Sequence, residues 1–203
     1  MMLSAAIVLF LGSSLMSGER FSGSLILGIS STLLLLSTIL TIQDNRRKLF
    51  FFAIGVILLR EISRFLIHNP YLESIASLAN VVFFLLIVFH LIRQVARSRE
   101  VDLTVILESV NGYMLVGLSS GILLAMVAIF QQEAFAVSGD PRFGDFIYFG
   151  FITMTTIGYG EIIPVTGLAR MCSIVVGISG QLYIAIIIAT LVGKYIARKG
   201  DNR

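Results

Sequence analysis

The chain has 203 residues, of which 57% are hydrophobic and only 13% charged, about half the ~25% charged share of an average soluble domain. That composition excludes an ordinary soluble fold and predicts an all-α membrane protein. A net charge of +3 gives no footing for nucleic-acid binding, and a single cysteine, Cys172, offers neither a disulfide framework nor a metal-ligand spacing.

Six apolar segments are predicted, each judged against the ~20 residues that a crossing helix needs. The first, 3–16, is short. It lacks the basic flank of a signal peptide and is read as a helix, with a cleaved or peripheral segment as the alternative. The second is 24–42. The third, 49–67, is interrupted by Arg60, Glu61 and Arg64. Charges inside a span are usually paired. Arg60 and Arg64 lie one turn apart on a shared face, with Glu73 as a nearby acidic candidate. The alternative is that this helix ends early and its long side chains snorkel to the interface. The fourth segment, 75–92, holds no Arg or Lys between 78 and 91; Arg93 and Arg97 come only at its end. His90 is a lone titratable group in it.

Residues 94–110 mix Arg, Glu and Asp with aliphatic residues and are predicted to lie along the membrane surface. Asn111-Gly112 then reads as a bend into the fifth segment, 113–130. A polar connection follows at 133–140. Pro141 suits a helix start, and Asp145 suits the positive end of that helix's dipole. The stretch 143–155 is apolar but too short to span. The sixth segment, 168–196, contains Gly177-Ile178-Ser179-Gly180-Gln181. A helical glycine costs ~1 kcal/mol relative to Ala, so Gly177 and Gly180 need a reason: either a hinge or close packing through small residues. Gln181 and Tyr183 are unusual in an apolar helix and read as hydrogen-bonding to the fifth segment or lining a cavity.

Between the short stretch and the sixth segment runs Thr153-Met154-Thr155-Thr156-Ile157-Gly158-Tyr159-Gly160-Glu161-Ile162-Ile163-Pro164. Gly158 and Gly160 permit positive φ without a Cβ clash. The string Thr156 to Gly160, set between two apolar segments, resembles the T-x-G-Y-G filter of potassium channels. The order of segments resembles that of bacterial six-segment channels of the voltage-gated-like superfamily. The resemblance implies six transmembrane helices, with a re-entrant pore helix and selectivity filter between the fifth and sixth. It also implies a four-fold pore completed by three further copies of the chain. Potassium would be coordinated at Thr156, Ile157, Gly158 and Tyr159, with no other cofactor, because backbone carbonyls replace its water shell. Tyr148, Phe149, Thr155 and Glu161 would support the filter. Ile152 stands where one version of the family has a carboxylate that pairs with the acidic residue after the filter. Glu161 is thereby expected to lack that partner.

The basic residues then set topology. Arg46, Arg47 and Lys48 follow the second segment; Arg93, Arg97 and Arg99 the fourth; Lys194, Arg198, Lys199 and Arg203 the sixth. The other junctions carry only Arg20, Arg142 and Arg170. This predicts both termini in the cytoplasm of a plasma-membrane protein, with the filter opening outward. A four-helix sensor-like unit over 1–98 and a pore unit over 99–203 are expected. Because sensing needs several charges moving through the field, a strong voltage sensor is not. Alternatives to a potassium channel are a non-selective cation channel, a silent subunit, or a transporter subunit. An enzyme is not expected. The strings 117–121 and 177–180 resemble serine-hydrolase motifs, but the only histidines, His68 and His90, precede both, and a serine nucleophile needs a base within reach.

Overall fold

A computed structural model describes residues 7, 46–62, 70–98, 101–131 and 133–201. Five helices and one two-stranded ladder make up these residues: α1 (Arg46–Ile62), α2 (Pro70–Arg97), α3 (Leu103–Phe130), β1 (Phe135–Ala136), α4 (Phe143–Met154), β2 (Ile163–Pro164) and α5 (Gly167–Asp201). Three stretches, Leu78–Arg97, Leu103–Phe130 and Gly167–Lys194, are long and apolar enough to cross a membrane. Apart from Ile7, the first and second predicted segments lie outside the described residues, as do Arg64 and the side chains of Arg60 and Glu61.

Pro70 occupies the first turn of α2, where a missing N–H is tolerated. The buried positions of α2 among the described side chains are Ala76, Asn80, Val81, Phe83, Phe84, Ile87, Val88, Leu91 and Val95, mostly three or four residues apart as one broad helix face requires. Phe52 of α1 stacks on Phe83 of that face, with ring centroids 5.9 Å apart.

The predicted surface segment and bend are corrected here. α2 runs through Gln94 to Arg97, and α3 begins at Leu103 and continues unbroken through Asn111 and Gly112. The start signal is Asp102, whose carboxylate accepts the Val105 N–H at 2.9 Å. Such a cap satisfies an otherwise orphaned donor. Gly112 is needed for packing, since a Cβ there would sit 2.1 Å from the Tyr183 hydroxyl oxygen.

α3 is the spine, with 67% of its spanning window buried against 22% for that of α5. α4 crosses α3 almost backbone to backbone. A Cβ on Gly121 would lie 2.6 Å from Ile147 Cα, and one on Gly150 would lie 2.9 Å from the Gly121 nitrogen. Small residues are what allow helices to approach this closely in a membrane. The first serine-hydrolase-like string therefore belongs to a helix crossing. The Ser119 and Ser120 hydroxyls donate to the carbonyls of Leu115 and Val116, both at 2.8 Å, within their own helix.

The connection from α3 to α4 is fastened to the segment after the loop. β1 pairs antiparallel with β2, Phe135 opposite Pro164 and Ala136 opposite Ile163. Thr166 donates to Gln131 at 2.8 Å and accepts the Ala169 N–H at 3.3 Å, which caps α5.

Candidate functional site: the 156–160 loop and its supports

The last four carbonyls of any helix lack partners within it. α4 is too short to span, and its four are all satisfied locally. Phe151 O accepts from the Thr155 N–H at 3.0 Å and from the Thr155 hydroxyl at 2.7 Å. Ile152 O accepts from Ile157 at 2.9 Å and from Gly158 at 3.2 Å, and Thr153 O from Thr156 at 3.1 Å. Met154 O accepts from the Gln181 amide at 3.3 Å. The loop therefore leaves α4 already folded back onto its end. At the other end of α4, the Arg142 N–H donates to Asp145 at 2.7 Å. The helix starts at Phe143, so Pro141 lies outside it.

Within the loop, φ is +62° at Thr156, +54° at Gly158 and +89° at Gly160. Every second residue is thus left-handed. A β-branched residue with positive φ is an outlier, which makes Thr156 the strained position. Sequence reasoning assigned positive φ only to the glycines. In an extended strand, side chains and carbonyls alternate sides. Alternating right- and left-handed residues instead gather successive N–H groups on one side, which turns the carbonyls to the opposite side. A Cβ on Gly158 or Gly160 would meet nothing within 4 Å, so both glycines answer to backbone angle alone. In the single chain, Ile157 is 52% and Tyr159 74% exposed.

Glu161 has no carboxylate opposite it at Ile152 but takes a different partner. The hydroxyl of Tyr148 on α4 donates to its Oε1. That hydrogen bond, followed by desolvation and the charge of Glu161, pushes the phenol pKa up to about 12, because a phenolate facing a carboxylate is doubly unfavourable. The resemblance implies filter support from Tyr148 without saying how; its hydroxyl is the signal that finds Glu161. Phe149 is buried and points its ring at Phe135, edge-on at 5.6 Å. Phe135 also meets Phe146 at 5.4 Å. Phe149 therefore packs against the α3–α4 connection.

Of the two glycines read as a hinge or as packing, Gly180 packs closely: a Cβ there would lie 2.6 Å from Met154 O. Gly177 is looser, with Thr153 O at 3.9 Å. α5 is unbroken through both. Ser179 donates to its own helix at Val175 O, 2.7 Å away, and the ring of His90 bonds Leu86 O at 2.8 Å. Tyr183 donates to Ser109 O at 2.7 Å, which ties α5 to α3.

No solved structure matches the chain. Residues 115–197, from α3 through the loop to α5, match the family described as ion channel. Among the described residues, three helices are long and apolar enough to cross a membrane, which together with this match supports an ion channel domain in a membrane protein.

Proposed function

We propose that the protein is a potassium-selective channel in the plasma membrane, formed by four copies of the chain. The observation that carries this reading is the alternation of left-handed residues at Thr156, Gly158 and Gly160 within the string Thr-Ile-Gly-Tyr-Gly. Such a backbone can present consecutive carbonyl oxygens to a dehydrated cation, as a potassium filter requires. α4 serves as the re-entrant pore helix, α3 as the outer helix and α5 as the inner helix. Non-helical backbone at membrane depth is tolerated where protein or water covers it. The string occurs once in these 203 residues, so a ring around a cation takes further copies, and closed rotational symmetry supplies them. Exposed apolar residues on α5, among them Ile174, Ile178 and Leu182, are available to be covered by neighbouring copies. With six crossings, both termini lie in the cytoplasm.

Purified protein in liposomes should give reversal potentials that follow the potassium gradient, from particles that contain four subunits. Equal sodium and potassium permeability would favour a non-selective cation channel, and no current at all a silent subunit. In the same recordings, open probability should change shallowly with voltage, because residues 78–91 hold no Arg or Lys. An effective charge of several elementary units would refute that, given ~2.3 kcal/mol per charge per 100 mV.

Tyr148→Phe removes the donor to Glu161 while keeping the ring. We expect currents that decay faster during sustained recording, with selectivity intact at early times. Glu161→Gln keeps an acceptor and should decay at an intermediate rate. Wild-type decay in Tyr148→Phe would show that the hydrogen bond has no part in holding the loop.

A further inference from the structure

The end of α5 remote from the loop carries one ammonium group that is fully used. Lys194 donates to Val95 O, to Ser98 O at 2.6 Å and to the Ser98 hydroxyl at 2.8 Å. A lysine has three donors, and all three go to the C-terminal end of α2, where helix carbonyls lack internal partners and their partial negative charge favours a cation. Lys194 is half-buried and closes the spanning stretch Gly167–Lys194. Its partners lie 96 and 99 residues away in sequence, so this is a tie between distant elements.

The surroundings show what depends on it. Closer to the loop, α5 is held by Gly180 and Gln181 against Met154 and by Tyr183 against Ser109. From Tyr183 to Lys194 the helix advances about 16 Å at 1.5 Å per residue. Beside the half of α5 nearer the loop, α2, α3 and α5 line an open apolar pocket of about 280 Å³, with Val81, Leu85 and Ile92 on α2, Leu123 on α3, and Val175 and Ile186 on α5. That space loosens the contact of α2 with α5 as far as Ile186, and the ammonium joins the two helices about two turns further on. α2 is tied in turn to α3 by the Gln94 amide, which donates to Glu108 at 2.5 Å.

We propose that Lys194 is a clasp that keeps the far end of α5 against α2, so that opening of the pore at that end requires its release and any displacement of α2 is passed to α5. The proposal rests on the channel reading of α5 as the inner helix. If α5 swings away, three part-buried hydrogen bonds of a charged donor are lost together, a loss that favours the held arrangement.

Two measurements on the assembled protein in nanodiscs test it. Lys194→Met keeps the apolar stem and removes the donors. Amide exchange in residues 92–98 and 190–197 should rise about tenfold, while α4 stays protected, as expected for local opening of one unit. In bilayers the same variant should show a several-fold higher open probability with unchanged potassium selectivity. Ser98→Ala removes only one acceptor, and should move both readouts in the same direction by less. Unchanged exchange in Lys194→Met would overturn the clasp. Faster exchange with unchanged open probability would overturn its control of opening. A parent protein that passes no potassium would refute the channel reading, while the exchange experiment would still decide whether Lys194 fastens α5 to α2.

Discussion

Gly158→Ala should abolish potassium current while leaving the four-subunit particle intact. Gly158 has φ +54°, and a Cβ there would meet no atom within 4 Å. Within its own chain the substitution therefore acts through backbone angle, not packing. Holding an L-residue in the left-handed region costs roughly 1–2 kcal/mol, and in the proposed ring of four loops that cost would be incurred four times. The loop has little to resist with. Thr156, two residues earlier, already sits at φ +62°, and the Gly158 N–H is held to Ile152 O only at 3.2 Å. Relief comes by rotating the 157–159 peptides, which turns carbonyls away from the cation path. The contacts of α3, α4 and α5 do not involve Gly158, so the proposed four-copy assembly should survive. Flux in liposomes and particle mass, measured on one preparation, check both halves. Wild-type potassium flux in Gly158→Ala would mean that the alternation of φ is incidental to conduction.

Much of this architecture was legible in composition and local signals. A 57% hydrophobic chain with apolar runs of spanning length points to membrane helices, and the 12-residue helix α4 showed as an apolar run too short to cross. Local chemistry also decided one boundary that was misread. Asp102 is a stronger helix start than Asn111-Gly112 is a bend, because an aspartate cap supplies a hydrogen bond whereas a glycine merely tolerates a turn. What was not legible is pairwise. Nothing local to Gly112 announces the Tyr183 hydroxyl, and nothing near Glu161 announces Tyr148, 13 residues away. Lys194 read as one more positive charge at a helix end until its partners on α2 were visible. The positive φ of Thr156 was hidden for a different reason. A β-branched residue argues against that conformation, and only its hydrogen bond to Thr153 and the folded-back loop overrule it.

The largest structural effect should come from Gly121→Ala, at the crossing of α3 and α4. A Cβ at Gly121 would stand 2.5 Å from Ile147 Cδ1, 2.6 Å from Ile147 Cα and 3.1 Å from the Ile147 nitrogen. Two of these three atoms are backbone and cannot rotate away, so α4 itself must move. Overpacking of a tight contact typically costs 1–3 kcal/mol and occasionally more, and here every subunit would bear it at the helix that carries the loop. Gly117→Ala makes a useful comparison. Its Cβ would strike the ring of Phe151 at 2.3 Å, but a side chain of intermediate burial can turn, so the damage should be smaller. Gly55→Ala sets the baseline. Gly55 lies inside α1 with nothing within 4 Å of a Cβ, and replacing a helical glycine there should gain up to ~1 kcal/mol. Thermal melts of the purified particle should therefore rank Gly55→Ala at or above wild type, Gly117→Ala below it, and Gly121→Ala lowest, with much of the last failing to assemble. If Gly121→Ala melted alongside Gly55→Ala, the close approach of α3 and α4 would not be what holds the 156–160 loop in place, and its support would have to come from α5 and the β1–β2 ladder instead.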